Sequence, residues 1–313
     1  MEITKEDLLA ARNRIQTHLH RTPVLSSRII NELCGSELFF KCENFQKTGS
    51  FKARGATNAS LQLSEEAKSH GVATHSSGNH GQALAWAAKS VGIPAYIVMP
   101  KNAPQVKVDA VKSNGAEVLF CEPVLEAREE GLAQVQKRTG ASFIPPYNHP
   151  HIIAGQASAA AELIEDCEDL DAIIAPVGGG GLLAGTALSA HYFSPRTKVY
   201  AGEPAGADDA YRSFYSGNRV ESHQTQTLAD GLLTTLGPIN FEIIKDLVSD
   251  IFLVEDHEII EAMKLIYRHL KIVIEPSCAV PLATVIKYKD AFRGQRIGII
   301  LSGGNVDLEK LPF

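Results

Sequence analysis

No stretch of this 313-residue sequence approaches the roughly 18 consecutive apolar residues that cross a bilayer as a helix, so no membrane-spanning segment is expected. Long runs of one charge are also missing. The 30 basic and 36 acidic side chains are interspersed, and the net charge of -6 gives neither a nucleic-acid polymer nor an anionic membrane an electrostatic footprint. Cysteine is scarce: Cys34, Cys42, Cys121, Cys167 and Cys278 are odd in number and too scattered for a CxxC or zinc-ligand spacing. They are expected to be buried and reduced. The opening MEITKEDLLAARNRIQ is charged and helical in pattern rather than an apolar leader, which points to a soluble, cytoplasmic chain. Repeats and low-complexity tracts are absent as well, and a chain of this length is expected to fold as two cooperating lobes.

What the sequence does have is alternation. Short β-branched apolar segments, at 38–42, 72–75, 95–99, 117–121, 172–177, 198–202, 251–254 and 297–301, are separated by segments of helical period. That pattern predicts an α/β protein built on mostly parallel sheets. Thr4 and Asp7 read as a capping box, with Leu8, Ala11, Ile15 and Leu19 repeating behind them until Pro23. Three strands between Gly71 and Tyr147 suggest a small lobe at 67–149, inserted into a large lobe formed by 1–66 and 150–313. The stretch Pro145–Pro150 reads as irregular, followed by a helix near Gly155–Glu165.

Three glycine-rich turns follow strands. Gly178, Gly179, Gly180 and Gly181 lead into a helical segment, so their unhindered N–H groups can form an anion nest at a helix N-terminus. The same turn could serve close packing alone. The spacing is neither GxGxxG nor a P-loop, which weakens dinucleotide and nucleotide-hydrolysis readings. Lys52 sits in the first turn of a predicted helix, where the helix dipole lowers an amine's pKa and suits imine formation, although an isolated lysine there reads as surface. His75-Ser76-Ser77-Gly78-Asn79-His80-Gly81 and Ser302-Gly303-Gly304-Asn305 occupy the carboxyl ends of strands, where open α/β folds bind ligands and where serines also cap helices.

Taken together, Gln46-Lys47-Thr48-Gly49-Ser50-Phe51-Lys52, Ser76-Ser77-Gly78-Asn79-His80, Gly178–Gly181 and Ser302-Gly303-Gly304-Asn305 resemble the fold-type II pyridoxal-phosphate enzymes that include threonine dehydratase. The resemblance spans essentially the whole chain. It implies a tryptophan synthase beta-like fold with two parallel-sheet lobes and pyridoxal 5'-phosphate between them. It also implies that Lys52 forms the imine with the cofactor, Gly178–Gly181 cradle the phosphate, and Asn79 meets the phenolic oxygen. Asn148 is a further contact, Ser302 faces the pyridine nitrogen, and Phe51 and Gly231 flank the ring. A neutral hydroxyl on that nitrogen makes the ring a weaker electron sink, so loss of a β-hydroxyl competes well with reprotonation.

The closest resemblance within the family is to the branch that racemises serine and eliminates water from it. Lys52 and Ser77 then act on opposite faces of the substrate. Ser76, Ser77, Asn79 and His80 bind its carboxylate, with Arg128 and Thr234 nearby. The alternatives are dehydration of threonine or threo-3-hydroxyaspartate, and racemisation of aspartate. By the same resemblance Glu203, the Ala207 carbonyl and Asp209 form a divalent-cation site for Mg2+ or Ca2+, with Mn2+ a third option. Lys47, Thr48, Gln82, Lys271 and Asn305 match an activating ATP site, while Arg28 and Asn114 depart from its animal pattern. A homodimer acting on a small amino acid is expected. Outside this family, a nucleotide-binding module that uses the glycine nest without an imine is the rival reading.

Overall fold

Ten strands form in the computed structural model, which describes residues 3–313. Met1 and Glu2, where the expected large lobe begins, lie outside the described residues. In chain order the strands are β1 Val24–Leu25, β2 Glu37–Cys42, β3 Val72–His75, β4 Ala95–Pro100, β5 Glu117–Cys121, β6 Ser142–Phe143, β7 Ala172–Pro176, β8 Lys198–Pro204, β9 Asp250–Val254 and β10 Arg296–Leu301. Six make one sheet, in the order β1-β2-β10-β7-β8-β9, and four make another, β5-β4-β3-β6. Every pairing is parallel except β1 with β2.

Parallel strands covered on both faces must be apolar throughout, and β7 is buried along its whole length, as is β10 from Ile297 to Leu301. Successive side chains of β10 serve opposite faces: Ile300 joins a core with the helices Pro150–Asp166 and Gly181–Phe193, whereas Ile297 and Ile299 join one with Asp256–His269 and Pro276–Lys287. A third core, under the smaller sheet, includes Leu84, Ile97 and Met99.

The expected strands appear within a residue or two, and the capping box forms, with the Asp7 N–H donating to Thr4 Oγ1 at 3.3 Å. Four local expectations need correction. The first helix ends at Ile15 and does not reach Leu19. The smaller sheet gains a fourth strand, β6, whose two residues pair with Val72 and Ala73 and are too few to show a period. The helix expected near Gly155 starts at Pro150, since proline at the first helical position lacks only an N–H that would have no partner, and His149 Nδ1 accepts from the His151 N–H at 3.2 Å. Cys121 is half-buried, while the other four cysteines are buried, and all five are free.

Strand order places the carboxyl ends of β7 and β10 side by side, so Gly178–Gly181 and Ser302–Asn305 emerge together. The turn before Lys52 is fastened to the second of these. Phe51 N–H donates to the Ser302 carbonyl (3.0 Å), Gly304 N–H donates to the Gly49 carbonyl (2.9 Å), and Ser50 bridges Gly303.

Candidate active site

Lys52 is the first residue of the helix Lys52–Leu61, and its amine donates to the Pro146 carbonyl at 2.8 Å. The amine's pKa is pushed down to about 8. Burial is the main cause, partly opposed by the Glu275 carboxylate; enclosure rather than the helix dipole therefore leads.

This amine opens onto a cavity of about 730 Å³, which also reaches Phe51, the Ser76–His80 turn, Arg128, the four glycines, Gly231, Thr234 and Ser302. Among the described residues, the N–H groups of Gly178 through Leu182 have no hydrogen-bond partner. Side chains are excluded there by contact: a Cβ at Gly178 would fall 2.8 Å from Leu232 Cα, and one at Gly179 would fall 2.4 Å from the Tyr147 ring. Gly180 has φ +88°, a left-handed conformation that glycine adopts without strain. A row of unpaired amides at a helix start, beside a half-buried lysine, fits a phosphorylated aldehyde cofactor.

The Ser76–His80 turn is held from several sides. Ser76 Oγ accepts from the Gly78 N–H (3.3 Å), and the helix Asn79–Val91 begins within the turn. Asn79 Nδ2 donates to both Glu275 oxygens, at 2.9 and 3.0 Å, and its Oδ1 accepts from Asn305 Nδ2 at 2.9 Å. Glu275 was not singled out from the sequence, where a glutamate before a proline reads as an ordinary helix start. It lines the cavity, and burial raises its carboxyl to about 7. His80 spends Nε2 on the Ile144 carbonyl (2.9 Å), and burial drives its pKa down to about 3, so it carries no charge toward a carboxylate. Ser77 and Ser302 both line the cavity. Arg128 does too, with Nε buried and unpartnered. Thr234 lies within reach of the Tyr147 hydroxyl. Gly231 donates to Ser277 Oγ at 2.9 Å. Asn148 stands outside the lining, its Oδ1 accepting from the Ile239 N–H at 3.0 Å.

Beyond the cavity, Glu203 and Asp209 are fully buried and both carboxyls are shifted upward, chiefly by burial. Glu203 accepts from the Ala210 and Tyr211 N–H groups at 2.9 and 2.7 Å. Asp209 Oδ2 accepts from the Leu236 N–H, while its Oδ1 is a buried oxygen without a hydrogen bond, 3.2 Å from His223 Nε2. Ala207 is buried in the intervening turn. Among the described residues no cluster of three or more His, Cys, Asp or Glu side chains could hold a metal ion. Of the positions expected to meet a nucleotide, Thr48 and Asn305 touch, through Asn305 Nδ2 and the Thr48 carbonyl (2.8 Å). Gln82 is buried, Lys47 is half-buried, and Lys271 is exposed.

Residues 15–303 match the pyridoxal-phosphate dependent enzyme family. The chain belongs to that family. It is 52% identical over 310 residues to the beta-hydroxyaspartate dehydratase of Paracoccus denitrificans, covering 99% of this chain and 98% of that protein. The crystal structure of serine racemase from Dictyostelium discoideum superimposes with a TM-score of 0.93 at 50% identity, covering 98% of this chain and 99% of that one. The crystal structure of a T.th. threonine deaminase superimposes with a TM-score of 0.92 at 40% identity, covering 97% and 99%. The fold is accordingly that of a fold-type II pyridoxal-phosphate enzyme, as the motifs implied, and the rival reading of a plain nucleotide-binding module falls. No helix among the described residues is long and apolar enough to cross a membrane.

Proposed function

We propose that the protein racemises serine and eliminates water from it, giving pyruvate and ammonia. The observation that carries this reading is that Lys52 and Ser77 line one cavity beside the unpaired glycine amides. We assign the phosphate of the cofactor to Gly178–Gly181 and the covalent link to Lys52. Phe51 and Gly231 would flank the ring, Asn79 and Ser302 would meet its polar atoms, and Asn148 would support the site from outside the lining. Once bound, pyridoxal phosphate supplies an electron sink that makes the substrate's α-proton acidic. Lys52, whose depressed pKa keeps part of the population neutral near pH 7, takes that proton on one face. Ser77 delivers or accepts it on the other. Ser76, Asn79 and the helix N-terminus at Asn79 bind the α-carboxylate, with His80 as neutral packing behind them.

A second reading, dehydration of 3-hydroxyaspartate, is favoured by the Arg128 guanidinium, whose Nε has no partner, and by the Paracoccus relative. A second carboxylate would complete that arginine. Incubation with L- and D-serine, threonine and the 3-hydroxyaspartates, followed by chiral product analysis, decides between the two. Exchange of the serine isomers supports the first reading, and turnover of hydroxyaspartate alone replaces it with the second. Lys52→Ala is expected to abolish activity and the borohydride-fixed mass increase on the protein; retention of either removes Lys52 from its role.

Four finer assignments belong to the same reading. Glu203, Asp209 and the Ala207 carbonyl would hold a divalent cation, a role supported by the unpartnered Asp209 Oδ1. ATP would bind near Thr48 and Asn305. A homodimer would cover Ile29 and Leu33, exposed apolar residues four apart on the helix Arg28–Cys34. The lobes would divide at 66/67 and 149/150.

A further inference from the structure

The glycine loop and the lysine are joined by a residue that neither motif contains. Tyr147 lies between them. Its ring rests on Gly179, where a Cβ would fall 2.4 Å from both Cγ and Cδ1, and its backbone crowds Gly181, where the nearest approach would be 3.1 Å. The Lys52 amine stands 6.0 Å from the centre of the same ring and 5.1 Å from that of Phe51, and it donates to the carbonyl of the residue just before, Pro146. The Tyr147 main chain is fixed in turn, its carbonyl accepting from the His149 N–H at 3.1 Å and from Asn240 Nδ2 at 3.4 Å.

We propose that Tyr147 is a positioning residue. Its ring fills the space between the glycine loop and the amine, and the Pro146–Tyr147 segment is the resting place of the Lys52 amine whenever that amine is not linked to the cofactor. A π-face near an ammonium favours the charged form, and the carbonyl does so more strongly by accepting its proton. The titratable and charged groups facing the amine from neighbouring elements are Glu275, ahead of the helix Pro276–Lys287, and His80, on the helix Asn79–Val91, which is neutral. The ring, not the phenol hydroxyl, carries this role, so phenylalanine should replace tyrosine without loss.

The inference rests on the reading that Lys52 carries pyridoxal phosphate. The test uses the holoenzyme and the variants Tyr147→Phe and Tyr147→Met, the latter keeping apolar bulk without a π-face. Cofactor affinity is measured by absorbance, and the acid limb of kcat against pH reports the amine in the substrate complex. Tyr147→Phe is expected to match the parent in both within about twofold. Tyr147→Met should weaken cofactor binding about tenfold and move the acid limb about half a pH unit lower, because the ammonium loses its π-partner. A merely structural role would reduce activity at every pH and leave the midpoint in place. The proposal is overturned if the Met variant matches the parent, if its midpoint stays fixed, or if the Phe variant behaves like the Met variant. Should Tyr147→Met lower the melting temperature steeply, Tyr147→Leu repeats the comparison. A parent protein without a borohydride-reducible cofactor would overturn the Lys52 reading itself, and this proposal with it.

Discussion

Lys52 and Arg54 are two residues apart on one helix, yet their surroundings are opposites. Arg54 is buried and saturated: Nε and Nη2 donate to the two Glu43 oxygens at 2.7 and 2.8 Å, and Nη1 and Nη2 donate to the Glu162 oxygens at 2.8 Å each. Lys41 joins this cluster through Glu162 at 2.7 Å, and Thr22 donates to Glu43 at 2.5 Å. Two cations face two carboxylates, and the pairing holds Glu162 below the usual carboxylate range despite its burial. In the cavity, the opposite holds. Lys52 is lowered to about 8, His80 is lowered to about 3 and Glu275 is raised to about 7, each chiefly because burial is not matched by a close counter-charge. Charges that are fully paired anchor the helix, and groups left short of partners shift toward their neutral forms, which brings Lys52 and Glu275 near neutral pH.

Breaking the saturated side should have the largest effect on stability. Arg54→Met leaves Glu43 and Glu162 facing each other in the interior, and a loss of about 3–5 kcal/mol is expected in denaturant unfolding. An undiminished midpoint would show that the cluster tolerates the vacancy. On the unsaturated side, Ser77→Ala should cut exchange between the serine isomers by about a hundredfold or more while elimination from L-serine stays measurable, because only exchange needs a proton group on both faces. Parallel loss of both activities would instead indicate a packing defect.

Glu275→Gln sharpens the contrast through pH. A carboxyl raised from 4.5 to about 7 binds its proton more tightly in the folded state. Its contribution to stability is thus complete below about pH 4.5 and is lost as pH rises to about 7. Glutamine does not titrate, so the melting temperature of the variant relative to the parent should climb across that interval. A constant difference would mean that the carboxyl is not shifted. The smallest effect is expected at the surface pair Arg28–Glu32, whose side chains are 80% and 62% exposed. Arg28→Ala should change stability by no more than about 0.5 kcal/mol.

The sheet strands were readable because parallel strands buried on both faces leave unbroken apolar runs such as Ala172–Val177. The glycine turn, Lys52 and the Ser76–His80 loop were readable because together their motifs resemble those of a known family, whereas each alone also reads as close packing, surface or a helix cap. Other parts left no local mark. Strand β6 is two residues long, and Pro150 looks like an interruption until the helix is seen to begin with it. Glu275 and Tyr147 matter through partners far away in sequence, Asn79 for one and Gly179 for the other. The cause of the Lys52 shift was hidden for the same reason, since enclosure is a property of the assembled cavity.

The fastening of Gly49–Phe51 to Ser302–Gly304 also bears on how the protein is made. The strand end that holds the turn before Lys52 leaves the ribosome well after that turn does, and β2 waits likewise for β10. About 250 residues must be closed into a loop before that register can form, a non-local step of the kind that slows folding. A growing chain therefore carries Lys52 without a finished cavity until β10 has emerged, and cofactor capture is expected to follow the pairing of β10 with β2.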